Sequence, residues 1–234
     1  MTDVDDGFWC PNPIDKIRTF LRRGIKDDDA LAHHQAFVSH IAYNLQYLEF
    51  LNNLLTEKKR HITVLTQTMK TFVIIGMSVI EAVLWYVLRK NGMQKTDERE
   101  EFKKSSAPPF EDGESEFLVQ TTIFKTRDQS IEVEMPLSSM IKKVESKKLL
   151  GVDHQVYQNL NYLRKLRNKV HLHAGQHDRD TDWYSFNMRE VKLMKKVLLS
   201  VLASNLFKPE TEHEQIIGYL NVEEPVDQLA NEIP

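Results

Sequence analysis

The chain has 234 residues, of which 41% are hydrophobic and 28% charged, enough to bury one substantial core and a small second module, so a peptide, a fibre or a disordered tail is excluded. Lys and Arg total 31 against 34 Asp and Glu, a formal net charge of −3, which offers no chain-wide field for capturing nucleic acid and leaves only a local basic face for that task. The lone cysteine, Cys10, excludes an intrachain disulfide and a cysteine metal site.

The start, MTDVDDGFWCPNP, has acidic residues where a signal peptide has a basic segment and then an apolar one, which predicts a cytoplasmic protein. IDKIRTFLRRG then sets Ile14, Ile17, Phe20 and Leu21 at helical offsets with Gly24 as a stop, predicting a short helix or arm within residues 1–27. From Asp28 to about Glu57, Leu31, Phe37, Val38, Ile41, Leu45, Leu48 and Leu51 recur at three- and four-residue intervals without Pro or Gly, the pattern of one long helix. After the charged break EKKRH, the apolar run from Thr71 to Leu88 approaches the length of a membrane span, but Glu81 near its middle is costly in lipid. A buried soluble helix and no membrane partner are predicted.

Residues 92–135 are predicted as a surface insertion. Its first part, through Gly113, combines charge, serines and Pro108–Pro109 without apolar periodicity. FLVQTTIFKT and SIEVEM follow as extended segments around a turn at Arg127, Asp128 and Gln129, giving a small β-hairpin. Pro136 opens a helix with Met140, Ile141 and Val144, and Asp153 caps a second in which Tyr157, Leu160, Leu163, Leu166 and Val170 form one stripe. A last long helix is predicted over residues 182–207, with Trp183, Phe186, Val191, Met194, Val197, Leu198 and Val201 in the core, followed by an acidic extension over 208–234. The predicted fold is all-α: four or five helices spanning 28–207, interrupted by the insertion.

The segment LRKLRNKVHLH concentrates Arg164, Arg167, Asn168, His171 and His173, pairing anion-binding guanidiniums with groups that exchange protons near neutral pH. On an unbroken helix Arg167 and His171 lie about 40° apart and Arg164 and His171 about 20° apart, while His173 falls about 120° from Arg167. Gly175 permits a turn that changes the placement of the last residues, so either histidine is open as the acid–base group. The competing structural reading pairs the arginines with carboxylates and leaves the histidines as C-terminal caps. His171, His173 and His177 followed by Asp178, Asp180 and Asp182 match no zinc or calcium pattern, so neither metal nor cofactor is predicted. Cys10 lacks an adjacent His and Asp arrangement that would make it a nucleophile.

This segment, with the long helix TFVIIGMSVIEAVLWYVL and its Glu81, resembles the HEPN (higher eukaryote and prokaryote nucleotide-binding) superfamily. The family motif is an Arg, often followed by a polar residue, then four to six intervening residues and a His. Arg167–Asn168 with His173 fits it, and Arg164 with His171 has an allowed gap. The resemblance covers about residues 28–91 and 136–207. It implies a metal-independent endoribonuclease, a hydrolase of defence or toxin systems, acting as a homodimer whose motif helices form a joint cleft. In that scheme Arg164 and Arg167 bind the substrate phosphate, Asn168 positions it, and His173 or His171 transfers the proton for attack by the RNA 2′-hydroxyl. An antitoxin or other defence partner is also implied. The alternative within the same family is a non-catalytic nucleotide-binding or protein-interaction module.

Overall fold

The computed structural model describes residues 11–28, 31–56, 61–170 and 181–222. It divides into a helical unit, Met1–Asn91 with Leu137–Pro234, and a second unit, Gly92–Pro136. Among the described residues there are eight α-helices and two separate two-stranded antiparallel sheets. This corrects the all-α expectation of four or five helices with one hairpin: the protein is a mixed α/β chain.

In the helical unit, α1 (Ile14–Gly24) follows Pro13, whose fixed φ suits a helix start. Its apolar face is buried at Ile17, Phe20 and Leu21, with Ile14 partly exposed. Phe20 and Leu21 are completely buried, and the Phe20 ring lies against that of Phe207 with centroids 5.5 Å apart. A Cβ on Gly24 would come 2.6 Å from Phe207 Cδ1, so the backbone approaches the ring more closely than any other residue permits. α2 (His34–Thr56) packs against both α1 and α3 (Ile62–Lys90). Its start falls later than the sequence pattern indicates, with His34 buried and its Nε2 at 3.0 Å from the Ile25 carbonyl.

α3 runs 29 residues, about 43 Å at roughly 1.5 Å per residue. Fifteen of them are buried, including Phe72, Val73, Met77, Ile80, Val83, Leu84 and Tyr86. Among the described residues it is the one helix long and apolar enough to cross a membrane, and 61% of its most apolar window is buried inside the protein. At Gly76 it meets α7 (Met188–Leu202), where a Cβ would stand 2.8 Å from Met194 Cγ.

α4 (Leu137–Ser146) buries Leu137, Met140, Ile141 and Val144. A turn with Gly151 at φ +66° leads to Asp153, whose side chain accepts from the Gln155 amide at 2.7 Å and opens α5 (His154–Arg167). Tyr157, Leu160, Leu163 and Leu166 form its buried stripe. α5 stops at Arg167 and tightens into a 3-10 turn over Asn168–Val170, so the unbroken-helix angles between the arginines and His171 do not apply.

The predicted helix over 182–207 is two helices, α6 (Asp182–Ser185) and α7. The break is built by Asn187, which accepts from the Arg189 amide at 2.8 Å, while Glu190 accepts from the Asn187 amide at 3.3 Å, a reciprocal cap. Trp183, expected in the core, is 53% exposed, whereas Phe186 is buried. The chain continues past Pro209 into a short helix, α8 (Glu214–Ile217), which buries Ile216 and Ile217.

The second unit differs from the expected hairpin. β1 (Thr96–Ser106) pairs antiparallel with β4 (Gln120–Glu132), and between them β2 (Phe110–Asp112) pairs with β3 (Ser115–Phe117). The expected turn at Arg127–Gln129 lies inside β4. The actual tight turn is at Gly113, whose φ of +67° suits the first central position of a two-residue hairpin. The stacked rings of Phe110 and Phe117 flank it.

Candidate functional site

The last turn of α5 carries Arg164, Lys165 and Arg167, where positive side chains complement the negative end of the helix. The tyrosine and leucine stripe fixes the rotation of α5 and so decides where the arginines emerge. Arg167 Nη1 lies 3.0 Å from Glu81 Oε2 on α3, each side chain about one-third exposed (32% and 31%). This pair joins the motif helix to the long core helix and gives Glu81 the partner that a carboxylate on an apolar helix requires. Arg164 differs: its Nε is buried and makes no hydrogen bond. Asn168 is exposed at the start of the 3-10 turn, and its backbone N–H donates to the Arg164 and Leu166 carbonyls.

His171 and His173 lie outside the described residues, as do Cys10, Gly175, His177, Asp178 and Asp180. The structure therefore brings Arg164, Arg167 and Asn168 to one helix end and gives Arg167 a carboxylate partner. Among the described histidines, His34 contacts the Ile25 carbonyl, His154 pairs with Glu145, and the His213 Nδ1 accepts from the Glu210 amide. The catalytic arrangement implied by the resemblance is not found among the described residues. This departs from the nuclease expectation only to this extent: among the described residues no catalytic feature marks it, and Arg167 is paired with Glu81, as in the scaffold reading of the motif. No group of three or more His, Cys, Asp or Glu gathers to hold a metal among the described residues.

Comparison with family models, with curated proteins and with solved structures found no match.

Two polar centres lie outside the arginine and histidine segment. Lys70, buried on α3, places its Nζ 2.9 Å from both carboxylate oxygens of Asp182, and Gln67 donates to Asp182 Oδ2 at 2.9 Å. Burial by itself would raise the Asp182 pKa, but the hydrogen bonds from Gln67 and Lys70 and the lysine charge outweigh it and hold the carboxyl below its ordinary value. The sequence signal was a lysine inside an otherwise apolar helix face. The second centre is Tyr162, whose hydroxyl donates to buried Glu190 at 3.0 Å. Desolvation and the adjoining carboxylate push the tyrosine pKa up. A cavity of about 510 Å³, lined by Asn12, Asp15, Lys16, Thr19, His213, Gln215 and Ile216, includes none of the motif residues.

Proposed function

We propose that the helical unit is a non-catalytic binding module for an anionic ligand, RNA or a nucleotide, taken up through phosphate at the C-terminal end of α5, in a protein that pairs with a second copy of itself in the cytoplasm. The observation that carries the ligand reading is the buried Arg164 Nε without a hydrogen-bond partner, a state shared by the Nε atoms of Arg18 and Arg23, whose Nη atoms donate to Asp15, Tyr43 and Glu210; a guanidinium donor withdrawn from water is costly until an acceptor reaches it. Phosphate oxygens supply acceptors in the geometry that guanidinium forks match best. Arg167 supports the site from its place on Glu81, and exposed Asn168 adds an amide able to donate and accept toward a sugar or base. The HEPN resemblance of this segment is consistent with a nucleotide-type ligand.

The test incubates the full chain with single-stranded and structured RNA in EDTA and examines the product ends, with binding followed in parallel by fluorescence anisotropy. Binding without cleavage, weakened by Arg164→Ala, is the expected result. Products ending in 2′,3′-cyclic phosphate, lost in His171→Ala or His173→Ala, overturn the non-catalytic reading.

A further inference from the structure

We propose that β1 is a self-recognition strand: two copies of the chain join edge to edge through β1 across a two-fold axis centred on Phe102, making one four-stranded antiparallel sheet. Among the described residues the β1–β4 sheet has only these two strands, so the edge of β1 away from β4 is unpaired. Such an edge presents a row of backbone donors and acceptors that another strand can satisfy; Arg99 is the exception, its N–H donating to Asp97 Oδ1 at 2.9 Å and its C=O accepting from Arg127 Nε at 3.2 Å. At eleven residues β1 is long for an open edge.

The sequence of β1 is self-complementary about Phe102, one residue past the strand's midpoint. Acidic residues precede Phe102 and basic residues follow it, in the order Glu100, Glu101, Phe102, Lys103, Lys104. Antiparallel pairing with Phe102 opposite its own copy sets Glu101 against Lys103 of the second copy and Glu100 against its Lys104, and symmetry repeats both pairs. A shift of one residue in either direction loses part of this matching; in one direction Arg99 is brought opposite Lys104. Opposite charges directly across strands are favourable and like charges are not. A contact of this kind uses the same patch on both copies and closes as a dimer instead of propagating.

Phe102 marks the centre in a second way. Paired positions pass from Glu101–Phe124 to Lys103–Ile123, so Phe102 is the extra residue of a bulge, and a bulge leaves that residue outside the ladder of its own sheet. Its side chain is 70% exposed, more than any other large apolar residue described, and Phe124 beside it is 56% exposed. The two-fold axis stacks Phe102 on its copy and covers this surface. Within one chain Lys104 already reaches Glu101 at 3.2 Å and Glu100 accepts from Arg127 Nη1 at 3.1 Å; the first pair is open to water and exchanges partners at little cost, whereas the second is partly buried, so the two Glu101–Lys103 pairs carry the register.

This inference rests on the self-pairing part of the proposed function and is independent of what Arg164 binds. Sedimentation of the full chain measures whether it dimerises, and a cysteine scan in a Cys10→Ser background locates the contact. Phe102→Cys is expected to form a disulfide-linked dimer rapidly under mild oxidation, since directly paired residues stand about 4.5–5.5 Å apart between Cα atoms, within disulfide reach. Ser105→Cys is expected to cross-link poorly, because its two copies would lie about 20 Å apart at roughly 3.4 Å per residue. Lys103→Glu and Glu101→Lys should each weaken the dimer about tenfold, and mixing the two variants should restore pairing as a heterodimer. Circular dichroism confirms that each variant is folded. A monomer at every concentration overturns the self-pairing and this interface together. A dimer in which Phe102→Cys cross-links no faster than Ser105→Cys, or which ignores both charge reversals, overturns this interface alone.

Discussion

Removing Glu81 or Arg167 tests how the motif helix is held. Two unit charges 3.0 Å apart attract by about 5 kcal/mol at an effective dielectric constant near 20, but desolvation and side-chain ordering cancel most of this. Fully exposed pairs retain about 0.2–1 kcal/mol, whereas deleting one partner of a buried pair costs about 3–5 kcal/mol. With roughly one-third of each side chain open to water, solvent screening places Glu81→Ala and Arg167→Ala at about 1–2 kcal/mol each and their coupling near 1 kcal/mol. Urea unfolding of both single variants and the double variant gives that coupling directly. In 1 M salt, where the Debye length shrinks to about 3 Å, the coupling should fall but not vanish. Effects that add within about 0.3 kcal/mol refute the assignment of Arg167 as the link between α5 and α3.

Other expectations follow from the packing and the polar centres. Phe20→Ala should destabilise the helical unit by about 3–5 kcal/mol in the same unfolding assay; a loss under 1 kcal/mol would mean that α1 is a dispensable arm, despite the fully buried ring. Gly76→Val should cost about 1–3 kcal/mol by overpacking against Met194, and Met194→Ala should recover part of that loss when the two are combined. The depressed Asp182 pKa makes stability depend on pH with a definite sign: its contribution is full above the ordinary value of 3.8 and is lost as pH falls through the lower folded value. Asp182→Asn should therefore destabilise at pH 7 and flatten the acid limb below pH 4, and an unchanged acid limb would contradict the Lys70–Asp182 assignment.

The helices were legible where one face is buried. Tyr157, Leu160, Leu163 and Leu166 are the stripe that the spacing indicates, and Asp153 is the cap that its side chain indicates. β1 was not legible because none of its residues is buried, so TDEREEFKKSS carries no two-residue alternation. The Asp112–Gly113 turn between Phe110 and Phe117 carries a hairpin signal in sequence, but the charged stretch around it lacks the flanking apolar alternation that marks strands. Asn187 and Glu190 likewise hold the spacing of a reciprocal helix cap; that cap ends the apolar periodicity shared with α7, which is why Trp183 lies outside the core. At the site, the gathering of Arg164, Arg167 and Asn168 was visible in sequence. Which arginine is engaged was not, because that depends on the rotation of α5 against Glu81 on a helix more than eighty residues earlier.

The measurement that bears most directly on the proposed binding module is a titration of the intact chain with a labelled short RNA and with nucleoside mono- and triphosphates, for wild type and Arg164→Ala, across a salt series. The account predicts saturable binding that weakens with salt, loses about 1–3 kcal/mol in Arg164→Ala, and proceeds without strand cleavage. Equal affinity for both proteins, or no binding to any phosphate ligand, would contradict it.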